Sequence, residues 1–451
     1  MHQIAEPSFK IANLGTPTFP SPLQKLCAKA QTQFVTEDQK ILFDDSLESL
    51  CTDLKRGATP ATLEIAGPRE HIVFDPKDTT AAIVTCGGLC PGLNDIIRGV
   101  VMTLTYSYGV RTILGIRYGF KGFIPSYGIE PMILTPFEVS EINQLGGTIL
   151  GSSRGPQSVK EIVDRLLDLK VNILFVVGGD GTLRGAHAIA DAVRERGRPI
   201  GVVAMPKTID DDFECMDKSF GFETAFAEAV RSVRSAHVEA KGACNGVGLV
   251  KLMGRESGFI AAHTALAESC VNFVLIPEVP FHLQGDHGLF RRLEHRLAHR
   301  GHAVIVVAEG AGQDLLNPHD HHERQTDASG NPRLGDIGQY LKGRIEDHFH
   351  SIHVELNLKY IDPSYEIRSV PATPQDSLFC LLLAQNAVHA AMAGKTDLVI
   401  GRWHQHFVHL PLTVATAKRR QVDPHGNLWL SVLQSTGQPP VMTSKEEPDD
   451  D

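Results

Sequence analysis

Gly178-Gly179-Asp180-Gly181-Thr182 and Pro206-Lys207-Thr208-Ile209-Asp210-Asp211-Asp212 are the two stretches on which the reading of this chain turns. Each directly follows an apolar run, residues 172–177 (NILFVV) in one case and 199–205 (PIGVVAM) in the other. Such runs read as strands buried on both faces of a parallel sheet. A glycine-rich turn after a buried strand lets backbone N–H groups come close to phosphate, and an aspartate within it offers an oxygen ligand for Mg²⁺. The acids that close the second stretch supply a candidate base for a hydroxyl. Phosphate cradle, metal ligand and base at neighbouring strand ends are the parts of a phosphoryl-transfer site.

The 451 residues suggest two or three domains with a large core. With 43 Lys and Arg against 53 Asp and Glu, no global positive field favours nucleic acid, so any anion site must be local. The eight cysteines show no paired spacing, and the pair Cys86 and Cys90 lies in an apolar-to-glycine turn. Reduced thiols in a cytoplasmic protein are expected there rather than a zinc site. The absence of an apolar run near eighteen residues, and of a charged-then-apolar leader, predicts a soluble protein with no membrane partner.

The first 78 residues, punctuated by Pro17, Pro20, Pro22 and Pro60, read as an extension wrapped on the surface, with a short helix near 23–31. From Thr79 the chain becomes repetitive. Apolar strands are expected at 81–85, 173–177, 200–205, 246–253, 272–277 and 303–308. Helical patterns lie between and beyond them, from about Asp95, from the capping box Ser158-x-x-Glu161, and near 220–237, 257–267, 288–299, 337–348 and 376–393. Such alternation implies a doubly wound α/β architecture with ligands at the carboxyl ends of strands. His319, His321 and His322 sit in a polar segment that reads as a surface loop rather than a metal site, and the acidic end from 440 to 451 reads as disordered.

The first strand runs into Gly87-Gly88, then Gly92 and Asn94, ahead of a helix. The glycines leave room for phosphate at a helix N-terminus, and they equally suit an ordinary tight turn. No Walker pattern is present. Residues 147–155 place Arg154 and Gly155 in a small-residue loop, where the guanidinium can offset charge on a moving phosphoryl group or simply be solvated. Asp180 reads as a phosphate–Mg²⁺ residue rather than a turn residue, because glycines flank it on both sides. Thr208, Asp210, Asp211 and Asp212 crowd acids at a strand end, a pattern of metal or proton chemistry. Met253, Gly254 and Arg255 end another strand, Glu309 ends the next, and Lys359, Tyr365 and Arg368 group cations with phenols suited to a phosphate monoester; each of these three sets is as readily structural.

Taken together, the ordered segments GGLCPGLN, GGTILGSSRG, VVGGDGT, PKTIDDD, VKLMGRESGFIA, AEGAGQ and KYIDPSYEIR resemble the phosphofructokinase family from Thr79 to about Pro439. AGPRE (66–70) and DASGNPRLGDIG (327–338) look like its long eukaryote-type ATP-dependent branch. The resemblance implies two similar three-layer α/β domains with the site in the cleft between them. It also implies Mg²⁺-dependent transfer of phosphate from ATP to the 1-hydroxyl of fructose 6-phosphate in a homodimer or homotetramer. The expected layout is an extension over 1–78, a nucleotide-binding domain over 79–222, a sugar-phosphate domain over 223–372, and a segment over 373–439 returning to the nucleotide domain.

By the same resemblance Asp210 is the base and Thr208 lies beside the transferring group, with Ile209 between them in the sugar site. Asp180 holds Mg²⁺, while Gly88, Arg154, Gly155, Gly179, Gly181, Thr182 and Gly185 surround the nucleotide. Arg154 and Arg255 offset transition-state charge, Met253 and Gly254 shape the sugar pocket, and Glu309 accepts sugar hydroxyls. Tyr365 and Arg368 hold the 6-phosphate, with Lys359 a helper from a neighbouring subunit.

Two departures matter. Asp211 stands where the family usually has asparagine, which should raise a neighbouring pKa or recruit a cation. Gly246 stands where short bacterial enzymes carry an arginine that acts across the subunit interface. Donor choice turns on Gly181, which favours ATP by leaving space where pyrophosphate-using members have aspartate, and on Lys207, which many pyrophosphate enzymes share. The alternatives are a pyrophosphate-dependent enzyme or a catalytically silent regulatory subunit. NAD and lipid kinases share GGDGT but lack the MGR and YIDPSYEIR segments, and no convincing G-x-G-x-x-G supports a dinucleotide oxidoreductase.

Overall fold

In the computed structural model, which describes residues 9–316 and 333–442, two parallel-rich sheets face each other across a cleft. His319, His321, His322 and the acidic end from 443 lie outside the described residues. Among the described residues the larger sheet has nine strands. Their order is Lys40–Leu42, Thr62–Ile65, His406–Pro411, Leu398–Trp403, Gly201–Pro206, Ile173–Gly178, Thr80–Thr85, Thr112–Ile116 and Met132–Ile133. The five from Leu398–Trp403 to Thr112–Ile116 run parallel, and the strands outside them are antiparallel to their neighbours.

Ile173–Gly178 and Gly201–Pro206 are buried along their whole length, as their continuous apolar sequences require. The chain passes from Thr80–Thr85 out to Thr112–Ile116, then returns to Ile173–Gly178 on the other side. The sheet therefore reverses direction between Thr85 and its partner Val177, while Pro206 pairs with Gly178 one strand further on. A crevice opens outside the carboxyl ends at such a switch point. It gathers the Gly87, Gly178 and Lys207 turns.

The second sheet is entirely parallel, in the order Phe273–Leu275, His302–Ala308, Gly246–Leu252 and Asn357–Ile361. Helix Phe222–Lys241 packs on it and leads from one sheet to the other. The capping residue Ser158 starts helix Val159–Asp168, its Oγ accepting from Glu161 N at 3.3 Å, and turns Ile162, Val163 and Leu166 inward.

Several expectations need correction. The first 78 residues are not only surface wrapping, because Lys40–Leu42 and Thr62–Ile65 extend the edge of the large sheet. A helix absent from the sequence reading, Asp180–Glu195, opens directly at the GGDGT turn. Gly181 and Gly185 weaken its helical signal, and burial of Leu183, Ala186 and Ile189 overrides that propensity.

The hairpin Leu398–Trp403/His406–Pro411 also went unread. Its turn places His404 and Gln405 at φ 45° and 69°, without the Asn-Gly signature such turns favour. The segment after 373 returns to the large sheet only in part. Helix Pro374–Met392 packs on Leu93–Met102, but helix Asn427–Thr436 packs on Phe259–Ala267 of the other half. Gln438 also exchanges hydrogen bonds with Val274 in the second sheet. No helix among the described residues is long and apolar enough to cross a membrane.

Candidate active site

The cleft between the sheets has a volume of about 800 Å³, and carboxyl ends of strands from both sheets line it. From the larger sheet come Gly88, the Arg154–Gly155 loop, Gly179 to Thr182 at the start of their helix, and Thr208 to Asp210. From the smaller sheet come Met253, Arg255 and Glu309. Arg368 reaches the same space, and Ile209 and Gly185 also border it.

Gly179 is the cap of helix Asp180–Glu195, whose free backbone donors and positive end suit an anion. Gly88 is tightly bounded: a Cβ on it would lie 3.2 Å from Arg154 Nη2 and 3.3 Å from Arg368 Nη1. Two guanidiniums thus converge on one glycine, and burial followed by the Arg154 charge lowers the Arg368 pKa. Lys207 is buried beside them, its Nζ 3.6 Å from where a Cβ on Gly87 would stand, and burial lowers its pKa as well.

The acid loop is tied together internally. Thr208 Oγ1 donates to Asp212 Oδ1 at 3.0 Å and accepts from Asp210 N at 3.0 Å. Ser257 Oγ, from the other half, donates to the Asp210 carbonyl at 3.2 Å. Burial and then the Asp212 charge push the Asp210 carboxyl up to about 7. Arg255 opposes that rise, with Nε 3.7 Å from Asp210 Oδ2.

Arg255 itself is held in an uncommon conformation, at φ 52°. Glu309 Oε1 steadies it by accepting from Arg255 N at 3.0 Å and Gly254 N at 3.3 Å. One carboxylate oxygen of Glu309 is therefore committed to backbone. Gly254 lies in that turn at φ 146° rather than on the cleft wall.

A divalent cation suits the Asp180 side of the cleft. Asp180 Oδ2 pairs with Arg184 at 2.9 Å and lies 3.7 Å from Arg419 Nη2, while Arg419 Nη1 is 3.5 Å from Asp212 Oδ2. A guanidinium already occupies the space between two carboxylates, so the donor set is hard, anionic and matched to positive charge.

Not every expected residue is brought in. Lys359 is exposed on Asn357–Ile361, and Tyr365 is 74% exposed with the Arg368 guanidinium 5.0 Å from its ring centre; neither lines the cleft. Gly246 starts its strand at the end remote from Met253, and a Cβ there would stand 1.9 Å from Ala240 O, so no side chain fits. Cys86 and Cys90 are buried and free, with burial pushing the Cys86 thiol up to about 12. Sequence reasoning missed Arg184, Arg419 and Arg420. Residues 418–420 (KRR) form a visible basic run, yet nothing local says where it folds.

The extra acid does recruit a cation. Asp211 is ion-paired to Arg420, and its Oδ1 accepts from Ser219 N at 3.0 Å.

Cations gathered at a glycine turn, beside a raised-pKa acid in a two-sheet cleft, suit the transfer of an anionic group to a hydroxyl. That is the work of an α/β phosphotransferase. The family model described as Phosphofructokinase matches residues 80–391. The chain is 48% identical over 435 residues to an "ATP-dependent 6-phosphofructokinase" of Amycolatopsis methanolica, covering 95% of each. It is 48% identical over 440 residues to one of Borreliella burgdorferi, covering 96% of this chain and 97% of the relative. For one of Trypanosoma brucei brucei the identity is 41% over 440 residues, with 97% and 88% covered. The chain belongs to the phosphofructokinase family.

Solved structures agree on the fold. A pyrophosphate-dependent phosphofructokinase from Marinobacter aquaeolei superposes with a TM-score of 0.65 at 19% identity, covering 83% of this chain and 94% of that one. A phosphofructokinase from Saccharomyces cerevisiae gives 0.60 at 22% identity, covering 79% and 47%.

Proposed function

We propose that this cleft carries out ATP-dependent phosphorylation of fructose 6-phosphate at its 1-hydroxyl, giving fructose 1,6-bisphosphate and ADP, a step of glycolysis. The observation that carries the reading is the meeting, in one cleft, of the Gly179–Thr182 helix start with Asp210 and Arg255 from opposite sheets. The names borne by relatives of nearly equal length support the donor and acceptor.

The donor phosphates lie against Gly88, Gly155, Gly179, Gly181 and Thr182. Mg²⁺, held at Asp180, supplies charge neutralisation on the donor phosphates when bound. Asp210 takes the proton of the 1-hydroxyl as its oxygen bonds to the γ-phosphorus and the bond to ADP breaks. Thr208 fixes Asp210 through its backbone N–H, while Arg154 and Arg255 offset charge on the moving phosphoryl group. Met253, Ile209 and the Gly254 turn shape the sugar site, and Glu309 accepts sugar hydroxyls while bracing Arg255.

Arg368 takes the 6-phosphate, with Tyr365 and Lys359 outside the cleft as helpers in a homodimer or homotetramer. The nine-stranded half is the nucleotide-binding domain and the four-stranded half the sugar-phosphate domain. Eight free cysteines favour a reducing compartment, the cytoplasm.

Lys207 is the observation favouring a second reading, since a buried ammonium beside the cradle would also serve pyrophosphate. The test is formation of fructose 1,6-bisphosphate with Mg²⁺ and either ATP or pyrophosphate. Turnover with ATP supports the proposal, and turnover with pyrophosphate alone overturns the donor. Tight fructose 6-phosphate binding without turnover from either donor would mark a regulatory subunit.

A further inference from the structure

Asp211 is the acid of its run that turns away from the cleft. Asp210 and Asp212 line the cavity on either side, whereas Asp211 adopts φ 55° and sends its buried carboxylate behind the loop. A left-handed backbone is uncommon outside glycine, and a buried carboxylate is costly unless paired. Both are compensated there. Ser219 donates to Oδ1 through N at 3.0 Å and through Oγ at 3.3 Å, and Arg420 pairs with Oδ2.

Arg420 does more than pair. Its Nε and Nη2 donate to the Asp211 carbonyl at 3.2 and 3.0 Å, and its own N–H donates to the Asp212 carbonyl at 2.8 Å. The guanidinium also lies 4.7 Å over the Phe259 ring. The adjoining residues reach the other half of the molecule. Gln421 Nε2 donates to Glu256 O at 3.0 Å, and Val422 N to Glu278 Oε1 at 2.8 Å, an oxygen that also accepts from Gly258 N at 2.9 Å. The acid loop is thus gripped by a strand of chain anchored on the acceptor side.

We propose that Arg420 is a positioning residue for phosphoryl transfer, one that neutralises Asp211 and grips its carbonyl so that Asp210 stays facing Arg255 and the acceptor. This assignment rests on the reading of the cleft given above. Without the guanidinium, Asp211 would be a buried charge beside two other acids, relieved only by taking a proton or by turning toward the cleft. Either response moves the loop that carries Asp210. Removing the Asp211 charge at the same time removes the reason to move, and from this follows the distinguishing prediction.

The variants are Arg420→Met, which keeps an unbranched apolar stem over Phe259, Asp211→Asn, and the pair combined. With ATP and fructose 6-phosphate, Arg420→Met is expected to lower kcat by about tenfold or more, with the acceptor KM changing less, and the double variant to recover most of that loss. Arg420→Lys, which retains charge without the fork, is expected to fall between parent and Arg420→Met.

Parental kcat in Arg420→Met would overturn the assignment. So would a loss that persists undiminished in the double variant, since the arginine would then be a clip for the chain end rather than a partner for charge. If Arg420→Met does not fold, the double variant decides, and its failure to fold or to turn over would equally overturn the assignment. A parent without turnover would sink the functional reading separately. The same variants would then be compared by thermal melting and fructose 6-phosphate binding, where additive losses would count against Arg420.

Discussion

Arg255 Nε lies 3.7 Å from Asp210 Oδ2, and this contact joins the two halves of the molecule, since each residue follows a strand of a different sheet. The guanidinium, ahead of the Lys207 ammonium, is the larger of two positive charges that work against burial at Asp210. Replacing Arg255 with methionine should therefore raise the Asp210 pKa further. The acid limb of the kcat/KM profile is expected to move to higher pH, with kcat falling by about a hundredfold as stabilisation of the transferring group is lost. An unmoved limb would show that the contact does not tune the base.

In the parent protein the same logic sets the position of that limb. A base must be deprotonated to act, and Asp210 is pushed up to about 7, so kcat/KM should fall as pH drops below neutrality. An ordinary surface aspartate would hold activity down to about pH 4. A pH–rate profile in the free-enzyme regime separates the two.

Asp210→Ala is expected to leave fructose 6-phosphate binding largely intact while lowering turnover by at least about a hundredfold. Calorimetry for binding and a coupled assay for turnover check both halves. Near-normal turnover would remove Asp210 from the role.

Gly181 borders the cleft at the helix start proposed to hold the donor phosphates. Gly181→Asp would place a carboxylate beside the helix start that attracts the donor phosphates, and should cripple the use of ATP. Measuring kcat/KM for ATP and pyrophosphate side by side tests it, and unchanged ATP kinetics would mean that Gly181 does not set donor choice.

Two glycine-to-alanine changes should have opposite signs. A Cβ on Gly310 would stand 1.8 Å from Arg255 O, so Gly310→Ala must displace the turn carrying Arg255 and should cost about 1–3 kcal/mol together with turnover. Gly343 lies within helix Ile337–Ser351 with nothing within 4 Å of an added Cβ. Gly343→Ala should stabilise by roughly 0.5–1 kcal/mol and leave kcat alone. Denaturant melts and initial rates read both.

The strand-then-glycine rhythm made much of the larger sheet legible, because a central parallel strand is apolar on both faces and ends abruptly where its ligand-binding turn begins. It hid what local pattern does not encode. The His404–Gln405 turn bends with residues that rarely take positive φ, and the strand Thr62–Ile65 gains its place from pairing with Val408 and His409 on one side and Lys40–Leu42 on the other. Lys359, Tyr365 and Arg368 look like one cationic group in sequence. In space Arg368 joins Arg154 at Gly88, while the other two stay outside the cleft.

The inventory of the site was in the sequence: a glycine cradle with Asp180, an acid run with Asp210, and an arginine after each of two other segments, each set identified by residue types at short spacing. The resemblance named Asp210 as the base, but residue types at short spacing did not show which of the three consecutive acids turns away from the cleft. That is decided by the left-handed backbone at Asp211 and by Arg420, 209 residues further along the chain, whose guanidinium holds the extra charge behind the loop. Short-range pattern can specify what a turn is made of. The direction in which a buried charge points depends on the partner that long-range folding brings to it, because only a paired charge is stable out of water.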